Sequence, residues 1–339
     1  GDQVILDIAS SDLSEVTVDA LTSSITFTNI NWNVPQTITL SSVDDLIVDG
    51  NVNSTIAISV DPNTTAGPFK TLATQNISVP NLDNDVPGYT LSTVSGTLQE
   101  GNPQTATVSL VLLVEPLTDV IIDIASLDTT EVTVSTSSLT FDSTNWNDPQ
   151  TITLTSVDEF IIDGSQTVSI TASINAASNA AFTSLADQTV TLVHSDNDVA
   201  GFTLSSLGGG NLLEGSLSTV SFTLTLNAQP NPGDLIILDI ASLDLSEVAV
   251  NPITSPRVFT NINWNVPQTI TLNSVDDLIL DGTVTSTIAI SVDPNTTAGP
   301  FKTLATQNIS VPNLDNDVPG YTLSTVSGTL QEGNPQTAT

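Results

Sequence analysis

Carboxylate pairs return along this sequence in a fixed tripeptide, Asp-Asn-Asp. It occupies residues 83–85, 196–198 and 315–317, and each copy lies between one strand-like run of residues and the next. Two Asp side chains on a tight polar turn repel each other unless they are protonated or neutralised by a cation. Oxygen-only ligands favour Ca²⁺ over softer metals. The tripeptide therefore predicts a calcium site where two strand-like runs meet.

Three more acidic features accompany the tripeptide in a fixed order. They are an early Glu-Gly (at Glu100, Glu214 and Glu332), an acidic pair, and an Asp-Gly four residues after the second member of that pair. If antiparallel strands bring these turns to one end of a sandwich, six carboxylates converge in each copy and can hold one or more Ca²⁺ ions. The predicted metal ligands are Asp44, Asp45, Asp49, Asp83, Asp85, Glu100, Asp158, Glu159, Asp163, Asp196, Asp198, Glu214, Asp276, Asp277, Asp281, Asp315 and Asp317.

Solvated loop tips are the alternative explanation for these acidic turns, because an isolated Asp-Gly is a common turn signal. A further acidic pair recurs between predicted strands, and its position favours a surface turn over a metal ligand. The three copies of this pair are Asp12/Glu15, Asp128/Glu131 and Asp244/Glu247.

The composition excludes several classes of partner. The sequence has 37 acidic residues and only three basic ones, Lys70, Arg257 and Lys302, so the formal net charge is −34. Such a chain repels nucleic acid and anionic lipid, and it favours a cation as partner. The sequence has no cysteine, which excludes disulfides, thiolate metal sites and cysteine nucleophiles. The hydrophobic content of 39% is enough for packed cores.

The sequence carries no targeting or membrane signal. It has no apolar run of about 18 residues, so we expect no membrane insertion in this segment, and no basic-then-apolar start marks a signal peptide. It begins with Gly1 and contains no methionine. We therefore expect a segment of a longer polypeptide whose targeting signals lie outside it.

The sequence is a tandem array. Residues 29–107 and 261–339 differ at only four paired positions, and a more divergent copy lies between them. Trp32, Trp146 and Trp264 mark the same place in successive copies, 114 and 118 residues apart, so one module has roughly 115 residues. The predicted modules are 1–85, truncated at its N-terminus, 86–198, 199–317, and 318–339, the first strands of a further module.

Apolar residues alternate with Ser and Thr through most of each module, which is the pattern of half-buried strands. Val108, Leu110 and Leu112 show this period of two, and no segment has a sustained helical period. The expected fold is all-β, a tandem array of antiparallel β-sandwich modules joined end to end. A Trp precedes a strand in the repeated Asn-Trp-Asn-x-Pro-Gln-Thr block. We expect Trp146 to cap the core and not to stack on a ligand.

The sequence gives no support for an enzyme. The only histidine, His194, aligns with Asn81 and Asn313 in the other copies, and we interpret it as a surface substitution. A His-dependent triad or zinc site therefore cannot be a property of the repeat. The glycine run 208–210 has no lysine after it and is interpreted as a loop insertion without a role in phosphate binding.

The order of an early Glu-Gly, a Pro-Gln-Thr-Ile-Thr-Leu strand, Val-Asp-Asp-Leu-Ile-Val-Asp-Gly and a terminal Asp-Asn-Asp resembles the Calx-β module. The resemblance covers each whole module and implies an immunoglobulin-like sandwich that binds Ca²⁺ in the loops at one end. In the second module the ligand positions that it implies are Glu100, Asp158, Glu159, Asp163, Asp196 and Asp198. Two departures imply fewer ions or weaker binding. Leu46, Ile47 and Val48 interrupt the acidic run, and each terminal triplet has a central Asn.

The tandem, Thr/Ser/Asn-rich and Lys-poor composition resembles the repeats of giant bacterial surface adhesins, including the gliding-motility adhesins of Bacteroidota. This resemblance implies a secreted cell-surface protein with a role in cell adhesion. We interpret the chain as a segment of a calcium-stiffened filament or adhesin stalk, whose partners are neighbouring modules and lateral copies of the filament. The alternatives are an S-layer or biofilm-matrix protein and a regulatory calcium-sensing Calx-β module, which the tandem array disfavours.

Overall fold

Regular structure in this chain is almost entirely β-strand. The computed structural model describes residues 2–333 except 64, 66 and 103. Within them, helical turns are limited to short 3₁₀ segments at Gly67–Thr71, Pro252–Thr254 and Gly299–Thr303. The predicted all-β class is confirmed. No helix in this described part is long and apolar enough to cross a membrane.

The chain forms two compact units. The first comprises Gly1–Glu159 with Ser165–Ser195, and the second comprises Phe160–Gly164 with Asp196–Thr339. These units differ from the predicted modules, because the segment 160–164 belongs to the second module by sequence but packs within the second unit.

The first unit begins with a four-stranded antiparallel sheet and a two-stranded one. Their strands are β1 (Val4–Ser10), β2 (Val16–Val18), β3 (Ser24–Phe27), β4 (Leu40–Ser42), β5 (Val52–Val60) and β6 (Gln75–Asn81). The larger sheet has the order β3-β1-β5-β6, and β2 pairs with β4. Ile8, Val16 and Ile56 form the small core of this sandwich.

The rest of the first unit is a complete sandwich of nine strands. They are β7 (Tyr89–Leu91), β8 (Leu98–Gln99), β9 (Thr105–Leu112), β10 (Val120–Ser126), β11 (Val132–Val134), β12 (Ser138–Phe141), β13 (Gln150–Ser156), β14 (Gln166–Ile174) and β15 (Gln188–Ser195). One sheet has the order β12-β10-β14-β15-β8 and the other β11-β13-β9-β7. The alternation in the sequence is realised here, because Val108, Leu110 and Leu112 of β9 are all buried in the core between the sheets.

The second unit repeats this architecture. Its strands are β16 (Phe202–Leu204), β17 (Leu212–Leu213), β18 (Thr219–Leu226), β19 (Ile236–Ser242), β20 (Val248–Val250), β21 (Arg257–Phe259), β22 (Gln268–Ser274), β23 (Val284–Val292) and β24 (Gln307–Leu314). The sheets have the orders β16-β18-β22-β20 and β17-β24-β23-β19-β21. Phe222, Phe259 and Phe301 are the largest buried side chains of the core.

Two short parallel pairings depart from the antiparallel pattern and position the acidic loops. Leu98 and Gln99 of β8 pair in parallel with His194 and Ser195 of β15. In the second unit, β17 pairs in the same way with the end of β24. The residue that follows β17, Glu214, therefore lies beside the residues that follow β24, which begin the Asp-Asn-Asp triplet.

The tryptophans occupy two different environments. Trp146 and Trp264 are partly buried against the cores of their sandwiches, as predicted for Trp146. Trp32 is 69% exposed. In the two partly buried cases the backbone carbonyl of the Trp accepts a strand amide, that of Leu112 at Trp146 and that of Leu226 at Trp264.

The described residues of the predicted fourth segment, 318–333, form no strand. Residues 334–339 of that segment lie outside the described part. In the second module the equivalent strand β7 pairs with Leu110–Leu112 of β9.

Candidate metal centre

The acidic set of the third module lies wholly within the second unit. Each of its residues flanks a strand: Glu214 follows β17, the acidic pair follows β22, Asp281 precedes β23, and the Asp-Asn-Asp triplet follows β24. The fold brings the set together. Carboxylate oxygens of Glu214, Asp277 and Asp317 lie within 4.8 Å of one another, and so do those of Glu214, Glu247 and Asp281. Glu214 is common to both groups.

Glu214 is the most strongly perturbed member of the cluster. It is 2% exposed, and its Oε1 accepts a hydrogen bond of 3.1 Å from Nδ2 of Asn313. Its buried Oε2 has no hydrogen-bond partner among the described residues. Burial, followed by the neighbouring Glu247 carboxylate, raises the pKa of Glu214 to about 7. A buried carboxylate oxygen without a donor is the kind of atom that a cation satisfies.

The two aspartates of the triplet have different environments. Asp315 accepts two backbone N–H groups, from Gly282 at 2.8 Å and from Asp317 at 2.6 Å, and these bonds lower its pKa. Burial, with the charges of neighbouring aspartates including Asp315, raises the pKa of Asp317. Oδ2 of Asp317 is buried without a hydrogen-bond partner among the described residues. Asp315 therefore fastens the Asp-Gly turn, and Asp317 adds an unpaired oxygen to the cluster.

Backbone conformation and a close side chain both explain why the Glu-Gly motif has glycine at position 215. Gly215 has a φ of 63°, in the left-handed region that side chains rarely adopt. A Cβ at this position would overlap the side-chain amide of Asn316, the central residue of the triplet. Asn316 in turn donates from Nδ2 to Oδ1 of Asp276 at 3.3 Å. The central Asn therefore packs between Gly215 and the acidic pair.

The acidic loops of the first module also lie together, within the first unit, but without a Glu-Gly motif. The predicted residues Asp44, Asp45, Asp49, Asp83 and Asp85 line one cavity of about 170 Å³, together with a buried glutamate described below. Oδ2 of Asp83 accepts the Gly50 amide at 2.8 Å, and its Oδ1 accepts the Asp85 amide at 2.7 Å. Burial comes first among the causes that raise the pKa values of Asp49 and Asp85, and neighbouring carboxylates add to it.

The predicted ligands of the second module are divided between the two units. Glu100, Asp158 and Glu159 lie in the first unit, and Asp163, Asp196 and Asp198 lie in the second. Within the second unit, Asp196 accepts the Gly164 amide at 2.8 Å and the Asp198 amide at 2.6 Å. Asp196 therefore repeats the part that Asp315 plays in the third module.

One glutamate in each module was assigned to the wrong environment by the sequence. The sequence predicts surface turns at these acidic pairs, and the Asp members Asp12, Asp128 and Asp244 lie in such turns, where each accepts a hydrogen bond from a nearby hydroxyl group. The Glu members, Glu15, Glu131 and Glu247, are buried. Glu15 lines the cavity of the first module, and Glu247 contacts Glu214. The available signal is that each Glu directly precedes a buried valine at the start of a strand.

Asparagine side chains hydrogen-bond to two of these glutamates, Glu247 and Glu15. Nδ2 of Asn313 donates to the Glu214 and Glu247 carboxylates, both at 3.1 Å. Its Oδ1 accepts from the Ser274 hydroxyl at 2.8 Å. In the first module Asn81 donates to Glu15 Oε2 at 2.9 Å. An asparagine thus joins the cluster to the sandwich interior.

His194 takes this place in the second module, and its assignment to the surface was wrong. The side chain is buried, with Nδ1 at 2.7 Å from Glu131 Oε2 and Nε2 at 2.6 Å from Ser156 Oγ. An imidazole carries two polar atoms and can replace the amide that Asn313 uses between a Glu and a Ser. The Ser-His-Glu contacts resemble those of a catalytic triad, but an amide in the equivalent position cannot act as a base. The absence of enzymatic activity stays a prediction.

Comparisons with known proteins give no family for this chain. No protein-family model matches it, and no curated protein matches it. Among solved structures, domains 4–9 of the surface layer protein SbsC align with 14% identity over 92% of this chain and 39% of that chain, with a TM-score of 0.25. The D0–D1 domain of intimin aligns with 13% identity over 68% of this chain and 100% of that chain, with a TM-score of 0.23.

The Escherichia coli chaperone DraB aligns with 10% identity over 61% of this chain and 93% of that chain, with a TM-score of 0.24. In the SbsC alignment, this chain spans 39% of the length of the SbsC fragment. At these TM-scores the similarities carry no inference about function. The resemblances to Calx-β modules and to gliding-motility adhesins stay predictions.

Proposed function

We propose that this chain is a segment of an extracellular filament or adhesin stalk at the bacterial cell surface, and that Ca²⁺ bound in the acidic loops stiffens it. The observation that carries the proposal is the buried carboxylate of Glu214. Its Oε2 has no donor among the described residues, and the Glu214 carboxylate lies close to oxygens of Glu247, Asp277, Asp281 and Asp317. Without a cation these groups repel one another or take up protons.

The residues present fit calcium better than the other common metals. The cluster of the third module offers only oxygen atoms, and Ca²⁺ takes six to eight oxygen ligands, often including shared carboxylates. Glu214, Asp277, Asp281 and Asp317 would hold the ion, with Glu247 behind them. Bound calcium would supply positive charge that cancels the repulsion among the carboxylates, while Asp315 would keep the Asp-Gly turn in place.

The mechanical part of the proposal rests on how short the connections are. Only residues 199–201 separate Asp198 from strand β16, and only residues 86–88 separate Asp85 from β7. Such connections have little slack. A cation held by the loop before the connection would restrict it further. Length would be gained by adding copies, which suits a spacer for cell adhesion and, by the resemblance to gliding adhesins, for gliding motility.

Calcium-dependent stability tests the metal part of the proposal. At millimolar calcium and a Kd of about 10⁻⁴ M, each site contributes roughly 1.4 kcal/mol to the free energy of unfolding. We expect the Tm of the full chain to rise with calcium and to fall with a chelator. The double variant Glu214→Gln/Asp317→Asn should bind fewer ions by titration calorimetry. Asp239→Asn, at an exposed strand position outside the cluster, is the control. A Tm that no chelator changes would refute calcium binding.

A further inference from the structure

Three apolar residues interrupt the acidic run in each loop, and they have a structural role of their own. They lie between the acidic pair and the Asp-Gly turn. We call them the apolar tripeptide, and its three copies are Leu46–Val48, Phe160–Ile162 and Leu278–Leu280. All nine positions are large and apolar, although surface loops are usually polar.

The first copy pairs with the next module along the chain, within the first unit. The amide of Glu115 donates to the Leu46 carbonyl at 2.6 Å, and the amide of Val48 donates to the Glu115 carbonyl at 3.2 Å. Ile47 and Glu115 thereby form a parallel β-bridge. The side chain of Val48 packs against the core of the second module. One module therefore supplies both a backbone pairing and an apolar side chain to its neighbour.

The second copy forms the equivalent β-bridge within the second unit. Gln229, the equivalent of Glu115, donates its amide to the Phe160 carbonyl at 2.5 Å and forms a parallel bridge with Ile161. Ile162 packs against the core of the second unit. The ring of Phe160 lies 5.4 Å from that of Trp264, tilted by 42°, a favourable aromatic geometry.

The receiving residue is recognised through its backbone. Glu115 is charged and Gln229 is neutral, yet both pair in the same way. Each directly precedes a proline, Pro116 or Pro230. Proline restricts the residue before it to extended conformations, which is the conformation that a β-bridge needs. The proline in the next module therefore favours the extended backbone that the bridge requires, before the bridge forms.

The third copy makes none of these contacts in the described part of the chain. Leu278, Ile279 and Leu280 are 90%, 60% and 57% exposed, whereas Leu46 and Phe160, the equivalents of Leu278, are 53% and 50% exposed. The described residues provide no bridge to Ile279 and no hydrogen bond to the Leu280 amide. The same segment is thus seen twice with its partner and once without.

We propose that Leu278–Leu280 is a docking segment, and that its occupant is the next module of this same repeat, through the residue equivalent to Glu115. The proposed contact consists of one main-chain β-bridge and one apolar side chain that packs against the core of the neighbouring module. It needs no metal, so it goes beyond the calcium-bound stalk. In a chelator it would keep successive modules in contact at one point, while the angle between them could still vary.

Hydrogen exchange of the 339-residue chain is the first test. The loops 44–49 and 276–281 differ only in Val48 and Leu280, so their intrinsic exchange rates are closely matched. In a chelator we expect 44–49 to exchange at least about tenfold more slowly than 276–281. Equal rates would overturn the proposal. Concentration-dependent protection of 276–281 would also overturn it, since the occupant would then be a second chain.

A lengthened chain supplies the missing partner. Residues 318–339 are identical to 86–107, so a copy of residues 108–198 added after Thr339 completes a fourth module equal to the second. We expect the exchange of 276–281 to slow to the rate of 44–49. Protection of the added copy of β13 shows that the module has folded. Unchanged exchange of 276–281 beside a folded fourth module would overturn the proposal.

Two variants of the added copy identify the contact. Glu115→Pro in that copy removes the donating amide and should restore fast exchange at 276–281. Glu115→Gln is the matched control, because Gln229 occupies this place naturally, and it should keep the protection. Protection that survives Glu115→Pro, or that is lost with Glu115→Gln, would contradict recognition through the backbone.

Discussion

Replacing Glu214 by Gln should stabilise the metal-free protein and weaken calcium binding at once. The pKa of Glu214 is raised from 4.5 to about 7, so between these pH values the folded protein holds a proton that the unfolded chain has released. The stabilisation from this proton is complete below about pH 4.5 and is lost as the pH rises through about 7. A shift of this size corresponds to at most about 3 kcal/mol, which the Glu214 and Glu247 carboxylates share because their charges interact. Gln keeps the shape and carries no charge.

The expected result is a change of sign with conditions. In a chelator at about pH 8, Glu214→Gln should raise the free energy of unfolding of the second unit by up to about 3 kcal/mol, and at about pH 4.5 it should have little effect. With millimolar calcium at about pH 8 the gain should shrink or reverse, because the unaltered protein alone keeps this ligand. Urea unfolding of the full chain measures all three conditions.

Glu332→Gln is the matched control for this experiment. Glu332 occupies the same Glu-Gly motif but is exposed, so its substitution should change stability in none of the three conditions. Should Glu214→Gln destabilise the metal-free protein at about pH 8, the carboxylate would have a donor that satisfies it. Should the effect be equal at both pH values, burial would not control its proton.

Three further substitution tests address separate parts of the site. In a chelator, Asp315→Asn should lower Tm because it weakens the acceptor of two backbone N–H groups, whereas Asp317→Asn should not, since it only removes repulsion. Gly215→Ala should lower the free energy of unfolding by about 1 kcal/mol or more, because of its positive φ and the overlap with Asn316. His194→Asn should leave stability within about 0.5 kcal/mol, whereas His194→Leu should cost about 1 to 3 kcal/mol by leaving a buried carboxylate without its donor. Thermal and urea unfolding measure each effect, and the reverse order within either pair would contradict the assigned roles.

The fold class was accessible from the sequence because its signals are local. Alternation with a period of two predicts strands such as β9, and the repeat predicts that the same architecture recurs. The sequence did not predict the short parallel pairs β8 with β15 and β17 with β24. Two-residue strands carry no periodicity, and each pair joins residues about a hundred positions apart.

The acidic residues were identifiable because they recur in a fixed order, but their individual roles were not. Whether Asp315 or Asp317 accepts backbone amides depends on how the Asp-Gly turn packs against the triplet. Glu15 and His194 were misassigned for a related reason. Polar residues are assigned to the surface by default, and their burial depends on partners such as Asn81 and Glu131 that are 66 and 63 residues away.

The apolar tripeptide shows a different limit of sequence reading. Within one module, Leu46, Ile47 and Val48 are recognisable only as an interruption of an acidic run. Their partner, Glu115, belongs to the following module, so no pattern inside one module can explain them. Comparison of the three copies does indicate a role, because these positions stay apolar even where Phe160 replaces Leu46.

Small-angle scattering of the full chain, with calcium and with a chelator at fixed salt, tests the stiffening of the chain by calcium most directly. Without the ion, unneutralised carboxylates repel over a Debye length of about 8 Å at physiological salt. We predict an extended and narrow distribution of interatomic distances with calcium and a broader one in the chelator, with unchanged strand content by circular dichroism. A distribution equally broad in both conditions, in a protein that binds calcium by calorimetry, would contradict the calcium-stiffened stalk.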